Sequence, residues 1–495
     1  PLVFALALVP LSLFGGGKAG AAAKPEVKAE LRYGFTSEPA TLDPLSPANT
    51  ADGRSILFNV YEGLVKADTD GKLQPALASE YRIEQGGLVY RFTIRQGISF
   101  HDGSPLTAED AKFTLEAAIE ANFRGFTQID RIDVSGNTLT LTLKAPDPEF
   151  LPYLTQGIVP RNNPDREKNP VGTGPFSIES YTVQQSLVLK KNPNYWKPGF
   201  PKLDKVTVVF VADSDALLLS LRGGNVDGAG VTSSTVQQLD PSRFDVVTGY
   251  SNSVQLLALN NASPPLDDVR VRQAISYAVD VPQIIDTAFY GQGEASGSPL
   301  IPGLTAYYED SLRNPSRDTD RAKKLLSEAG HPSGFPLEIS VPSNYTMHVD
   351  TAQVIVNQLK TVGINASIRL VDWATWLGDV YRGRKYQATI VSLDDSVPLT
   401  PRGFLGRYLS TSGSNFINFN NPDYDRVYNA AVSEPDEARR IGLYKEAQRI
   451  IAGSAASVYI QDIYSFKVFA KGRYSGAVNY PLYVIDFSTI SANTN

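Results

Sequence analysis

Residues Leu88 to Ala118 read LVYRFTIRQGISFHDGSPLTAEDAKFTLEAA. Leu88, Tyr90, Phe92 and Ile94 alternate with Val89, Arg91, Thr93 and Arg95, a period of two that predicts a strand with one buried face. Gly97 ends it, and His101-Asp102-Gly103 with Pro105 forms a turn. Thr107 stands three residues before Asp110, the spacing of a capping box that opens a helix. Phe113 and Ala117 are expected to continue that helix's apolar stripe. His101 reads as a turn residue bonded to backbone rather than as a metal ligand.

Outward from this stretch the chain is long and alternating. At 495 residues it exceeds one core, so two or three domains are expected. The net charge of −6 argues against nucleic acid as a partner. The absence of cysteine excludes disulfides, thiolate metal sites and cysteine nucleophiles, and three histidines exclude a histidine-rich metal site. Pro1 to Phe14 is apolar and short, which suits a signal-peptide core. Gly15 to Lys28 is a small-residue linker, and its glycine spacing fails as a dinucleotide motif because no strand precedes it.

Glu30 to Thr36 opens a first lobe as a strand, and Ile56, Val60 and Leu64 fall at helical spacing within Ser55–Val65. Tyr81–Ile83, Leu88–Arg95 and Thr138–Leu143 are predicted strands, the first two a hairpin. The glycine-rich run Pro170–Phe176 lacks the Lys-Ser/Thr of a phosphate cradle and reads as a tight crossover. Val254–Leu259 is a strand running toward a hinge, followed by a helix over Leu266–Val279. Beyond it, helices over Asp318–Gly330, Thr351–Val362, Asp372–Tyr381 and Glu437–Ile451 alternate with strands at Pro336–Ser340, Ile364–Leu370 and Tyr386–Leu393. That alternation predicts an α/β lobe with a mixed or parallel sheet. The tail from Ala477 is expected to return to the first lobe.

Phe100-His101-Asp102-Gly103-Ser104-Pro105-Leu106-Thr107-Ala108-Glu109-Asp110 resembles the signature of the family 5 solute-binding proteins of ABC importers, the peptide/nickel-binding type. Tyr61-Glu62-Gly63-Leu64 with Pro75-Ala76-Leu77-Ala78, the Pro170–Phe176 run, Asn192-Pro193-Asn194-Tyr195-Trp196 and the LDDVRVRQAISYAV block, with Val269, Arg272 and Ala278, are similar to other parts of that family's pattern. The resemblance implies an α/β, two-lobe hinged periplasmic-binding-protein fold of class II type with an extra inserted subdomain. It implies residues 1–29 as signal-peptide remnant and linker, a discontinuous first lobe at 30–52, 171–258 and 477–495, an inserted subdomain at 53–170, and a second lobe at 259–476. It also implies a monomer outside the cytoplasm, periplasmic or at the cell surface, with ABC permease subunits as partners and no cofactor.

No H-E-x-x-H, G-x-S-x-G or P-loop is present. In α/β lobes ligands meet the carboxyl ends of strands, and Tyr386–Leu393 runs into Asp394-Asp395. In peptide-binding members of the family an aspartate near this place takes the ligand's ammonium, but Ser392-Leu393 stands here for Gly-Trp and the later Asp-Pro is missing. Trp373 and Trp376 lie three apart and share a face if helical, so they are placed either around a ligand side chain or in the core. Asn344 and Tyr345 follow a strand, and Tyr33 lies in the opening strand; with the two tryptophans and Asp394/Asp395 they complete the expected ligand-binding set. Met347-His348-Val349-Asp350 replaces the arginine expected of dipeptide binders. Three readings stay open: a peptide receptor, a receptor for a metal chelate, opine or other small solute, and an exported hydrolase.

Overall fold

The computed structural model describes residues 29–394, 400–480, 482 and 484–493. The leading apolar segment, the linker Gly15 to Lys28 and Asp395 lie outside these residues.

Its spine is one mixed sheet of eleven strands. Asn365–Val371, Pro336–Pro342 and Ala388–Asp394 form one end, and Gly228–Val231, Glu30–Phe35, Lys205–Phe210, Ser186–Lys191 and Phe176–Thr182 form the other. Between them lie two long antiparallel strands, Phe244–Leu259 and Ser457–Ala470, with the short strand Gly293–Ala295 alongside the second. The long strands pass from one core to the next. Phe244 and Val468 belong to a first-lobe cluster, whereas Leu256, Leu257, Tyr459 and Ile460 belong to second-lobe clusters. This is the expected two-lobe hinged fold.

The segment inserted in the first lobe carries a separate antiparallel sheet in the order Ala78–Glu84, Val89–Ile94, Thr138–Leu143, Ile129–Ser135. Tyr90, Phe92 and Ile94 are buried as the alternation requires. Their core is continuous with that of Leu31, Tyr33 and Val206, so the insertion shares the first lobe's interior. The sequence pattern does not predict the strand Ile129–Ser135, whose inward residues Ile129, Ile132 and Val134 are thrown out of alternation by a register shift after Ile129.

The helix Ala108–Glu120 begins on the predicted capping box. One oxygen of Asp110 accepts from the Thr107 backbone N–H at 2.9 Å, and the other accepts from the Arg161 N–H at 3.1 Å. The buried stripe is Ala111, Leu115 and Ala118, with Phe113 and Ala117 half-buried on its flanks. Ser55–Val65 is not one helix. The helix Ala51–Leu57 stops early, and Val65 already starts a strand. Gly63 fits against the Leu154 and Thr155 backbone, where a Cβ would come within 2.5 Å of the Leu154 carbonyl oxygen.

His101 bonds backbone, as expected, but backbone distant in sequence. Its Nδ1 accepts from the Gly172 N–H at 3.2 Å, so its Nε2–H donates to the Gly174 carbonyl at 3.0 Å. The glycine run lies against residues 59–61, where a Cβ on Gly172 would stand 2.0 Å from the Val60 carbonyl oxygen. Trp196 donates to Glu62 at 2.9 Å at the same junction. The tail returns to the first lobe: Asn59 donates to the Ile485 carbonyl at 2.7 Å and accepts from the Phe487 N–H at 2.8 Å.

Asp110→Ala removes the acceptor for two segments at once. A loss of about 1–3 kcal/mol in unfolding free energy is expected, read from urea midpoints at constant m-value. A change below about 0.5 kcal/mol would show that the carboxylate contributes no net stability there.

Candidate functional site

Strand direction locates the site. Pro336–Pro342 runs parallel to both Asn365–Val371 and Ala388–Asp394, so Pro342, Val371 and Asp394 end on one edge of the second lobe. Glu30–Phe35 runs parallel to Lys205–Phe210 and Gly228–Val231 in the first lobe. Asp394 pairs with Ser253 and Val231 pairs with Phe466, which brings both sets of carboxyl ends to the same part of the long strands. There the ladder breaks. Tyr250 pairs with Tyr464 and Val254 with Asp462, leaving residues 251–253 opposite a single residue.

The second-lobe edge carries Asn344, Tyr345, Trp373 and Asp394, four of the residues expected from sequence. Asn344, Tyr345 and Asp394 are exposed, and Trp373 is 37 % exposed. Tyr345 meets Trp373 edge-on at 5.5 Å. Trp373 and Trp376 stack directly, 4.9 Å between centroids and 3° between planes, which leaves no gap for a ligand group between them. Trp376 is buried behind Trp373 and donates to Thr389 Oγ1 at 3.0 Å. Of the two placements left open for the pair, Trp376 takes the core and Trp373 the surface. Tyr33 is fully buried between Phe469 and Phe487 and presents no surface to this edge. Asp395 lies outside the described residues.

Polar side chains fill the floor between the lobes. Gln255 Nε2 donates to His348 Nδ1 at 3.0 Å and to Thr351 Oγ1 at 3.1 Å, and Gln461 Nε2 donates to Gln255 Oε1 at 2.9 Å. This ties the helix Thr346–Lys360 to both long strands. Burial lowers the His348 pKa to about 4, so its imidazole is neutral at pH 7. At the ladder break, Asp462 Oδ1 accepts from Ser251 N–H and Ser251 Oγ, both at 2.8 Å. Asp462 Oδ2 has no partner among the described residues, nor do the side-chain amide atoms of Asn252, which sits at φ 70°. Burial raises the Asp462 pKa to about 7 against the opposing Ser251 and Asn252 bonds.

The first-lobe side holds a cavity of about 490 Å³. It lies among the helix Ala51–Leu57, the hairpin Val65–Ala67/Leu73–Pro75, the end of the helix Ala108–Glu120, and the tail. The tail passes the long strands first: Lys467 donates to the Val478 carbonyl at 2.8 Å, and Leu482 and Val484 then line the cavity. Rings of Phe58, Tyr61, Phe126 and Tyr153 line it too. The lobes also touch directly. Arg402 pairs with Asp147 at 2.6 Å, and Tyr444 donates to Glu149.

Sequence reading missed the floor and the cavity. Asp462 carried a signal, a lone carboxylate inside the apolar strand SVYIQDIYSFKVFA. The cavity carried none, because its walls come from segments more than 400 residues apart.

Residues 72–416 match the sequence model of the bacterial extracellular solute-binding proteins, family 5 middle region. The chain is 27 % identical to heme-binding protein A of Haemophilus influenzae over 494 residues, 88 % of each chain. It is 27 % identical to the glutathione-binding protein GsiB of Escherichia coli K12, covering 83 % of this chain and 84 % of that one. Among solved structures it is similar to the PBP AgaA of A. tumefaciens R10 in complex with agropinic acid, with TM-score 0.73 and 28 % identity over 94 % of this chain and 99 % of that one. The ABC transporter substrate-binding protein CtaP of Listeria monocytogenes superposes with TM-score 0.83 at 25 % identity, over 94 % of this chain and 99 % of that one.

The carboxyl of Asp462 makes the fold pH-sensitive in a defined direction. Its folded pKa of about 7 exceeds the unfolded value of about 3.9. The folded state therefore binds more protons between these values, and its stability from this group falls as pH rises toward 7. Asp462→Asn is expected to gain melting temperature over the wild type at pH 8 and to lose that advantage at pH 5. An identical difference at both pH values would show that the group titrates normally.

Proposed function

The chain belongs to the bacterial extracellular solute-binding proteins of family 5, and on that premise we propose that it captures a peptide between its two lobes and delivers it to the permease of an ABC importer. The observation that carries this reading is the convergence of both lobes' strand ends on the broken ladder between the long strands. Its relatives are solute-binding proteins rather than enzymes, and among the described residues no helix is long and apolar enough to cross a membrane. We place the mature chain outside the cytoplasm.

In this reading the lobes expected as 30–52 with 171–258 and 477–495, and as 259–476, with 53–170 inserted in the first, meet at the ladder break rather than at 258 and 476, since Leu256 and Leu257 pack in second-lobe clusters and Val468 and Phe469 in first-lobe ones. The hinge lies inside the long strands, near 250–254 and 462–464, where pairing is interrupted. A solute that touches both walls only when they meet shifts the population toward the closed form. The second-lobe wall offers Asn344, Tyr345 and the free face of Trp373, with Asp394 for a ligand ammonium; Asp395, expected from sequence to share that role, lies outside the described residues. A peptide lies extended across the strand ends, its backbone satisfied by protein groups and its side chains in hydrated pockets. A second reading, a small opine-like solute, is favoured by the 28 % identity to AgaA, solved with agropinic acid.

Native mass spectrometry of the purified protein tests the reading. A ladder of peptide masses released intact on denaturation is the expected result. A single non-peptide mass favours the opine-like reading, absence of any solute refutes capture, and cleaved products on incubation would mark a hydrolase. Trp373→Ala is expected to weaken solute binding about tenfold or more while melting temperature moves by about 2 °C or less, measured by calorimetry and thermal unfolding. Unchanged affinity would remove Trp373 from the wall.

A further inference from the structure

Two carboxylates stand opposite each other at the ladder break. The strand Gly293–Ala295 pairs with the second long strand so that Glu294 is in register with Asp462. Residues in register share a face of the sheet, and like charges placed so repel. Tyr464 lies on that face, two residues on, and donates to Glu294 Oε2 at 3.0 Å. Tyr250 pairs with Tyr464, their ring centroids 6.2 Å apart. Glu294 and Tyr250 are exposed, whereas Asp462 is fully buried. The charges acting most on Asp462, Tyr464 and Tyr250 come from one another, from Glu294 and from Tyr308, and none is a cation. Arg313 donates to the Asp310 and Leu312 carbonyls and Arg407 to the Asp394 carbonyl, and neither pairs with Glu294 or Asp462.

The same place is short of donors. Ser251 serves Asp462 Oδ1, and Oδ2 has no partner among the described residues. Asn252, whose backbone N–H faces Asp462, is 2 % exposed, and neither its side-chain oxygen nor its nitrogen is engaged there. A buried acceptor without a donor is costly, and its retention calls for a donor from outside. Two needs therefore coincide: a positive charge beside Glu294 and Asp462, and N–H groups for Asp462 Oδ2 and Asn252 Oδ1. A guanidinium meets both, with five N–H donors in one plane and a flat face that stacks on tyrosine rings. A bare metal ion fits less well, since among the described residues no group of three or more acidic or histidine side chains could hold one.

We propose that the hinge carries a guanidinium subsite, with Glu294 and the rings of Tyr250 and Tyr464 at its mouth and Asp462 and Asn252 at its base. The proposal rests on the receptor reading and deepens it: the captured peptide bears an arginine side chain close to the ammonium held at Asp394. The two positions are near each other because Asp394 pairs with Ser253, whose Oγ lies 2.9 Å from the Ser251 Oγ that bonds Asp462. Asp462 is covered in this structure, so a bend at residues 251–253 uncovers it for the solute. Tyr250 and Tyr464 stand on one side of the break and Asp462 on the other, so the seated cation spans the pivot.

The probes are the tripeptides Ala-Arg-Ala and Ala-citrulline-Ala, alike in shape and differing by one charge, and the fragment n-butylguanidine. Each is titrated by calorimetry at pH 8 into the full chain after refolding from denaturant. The wild type is expected to bind the arginine peptide about tenfold or more tighter than the citrulline peptide. Glu294→Gln and Asp462→Asn are each expected to bring that ratio within about threefold and to leave the citrulline peptide within about twofold of wild type, with circular dichroism confirming that each variant is folded. A wild-type ratio near one, a ratio kept in both variants, or no binding of any of the three probes would overturn the proposal. Failure of the peptide reading alone looks different: neither tripeptide binds, yet n-butylguanidine does and is weakened in both variants.

Discussion

The pairing of Phe244–Leu259 with Ser457–Ala470 is the constraint under which the rest of the molecule is arranged. Two register shifts interrupt the ladder, at residues 251–253 and between Gln255 and Leu256, and the stretches on either side belong to packed cores. Interior packing and ladder hydrogen bonds make each half stiff, whereas residues 251–253 lack regular pairing with Ser457–Ala470 and are held less firmly. Bending therefore concentrates there. Asn252 already occupies the left-handed region, an accessible conformation for asparagine and a costly one for the branched residues that fill the strand elsewhere.

Two sets of contacts flank that pivot: one stiffens the second lobe up to it, and the other crosses between the lobes. The Gln255–His348–Thr351–Gln461 chain joins helix and strands inside the second lobe, so that lobe moves as a unit up to the break. On the far side, Glu149 meets Tyr444 and Asp147 meets Arg402, all four largely withdrawn from water. Burial raises the Glu149 pKa to about 7 despite Tyr444 and nearby Arg402 and Arg440. Separating the lobes would rehydrate these groups, which offsets part of the contact energy lost and keeps the two arrangements close in free energy.

Local physics explains which parts were legible. The strand–turn–helix of Leu88–Ala118 was readable because alternation, a turn and a reciprocal cap agree within thirty residues. The second-lobe strands were readable for the same reason, and the directions they imply placed Asn344, Tyr345, Trp373 and Asp394 on one edge. The helix Thr346–Lys360 starts five residues before its predicted Thr351 because Tyr345, its N-cap, makes no side-chain cap bond to announce it. Tyr33 could not be assigned from pattern alone, since a strand tyrosine serves a core or a cleft equally well. The cavity was invisible because nothing local encodes the meeting of residues 54, 121, 153 and 484.

The return of the tail has a consequence for how the protein is made. The second lobe is one uninterrupted run between the long strands and has all its residues once the second of these is synthesised. The first lobe is not so placed: Ile485, Phe487 and Ile490 complete its interior, and Asn59 waits for the backbone of Ile485 and Phe487. A chain emerging from its amino end thus carries an unfinished apolar interior until residues 485–490 are released, the interval in which a holdase would have surface to bind.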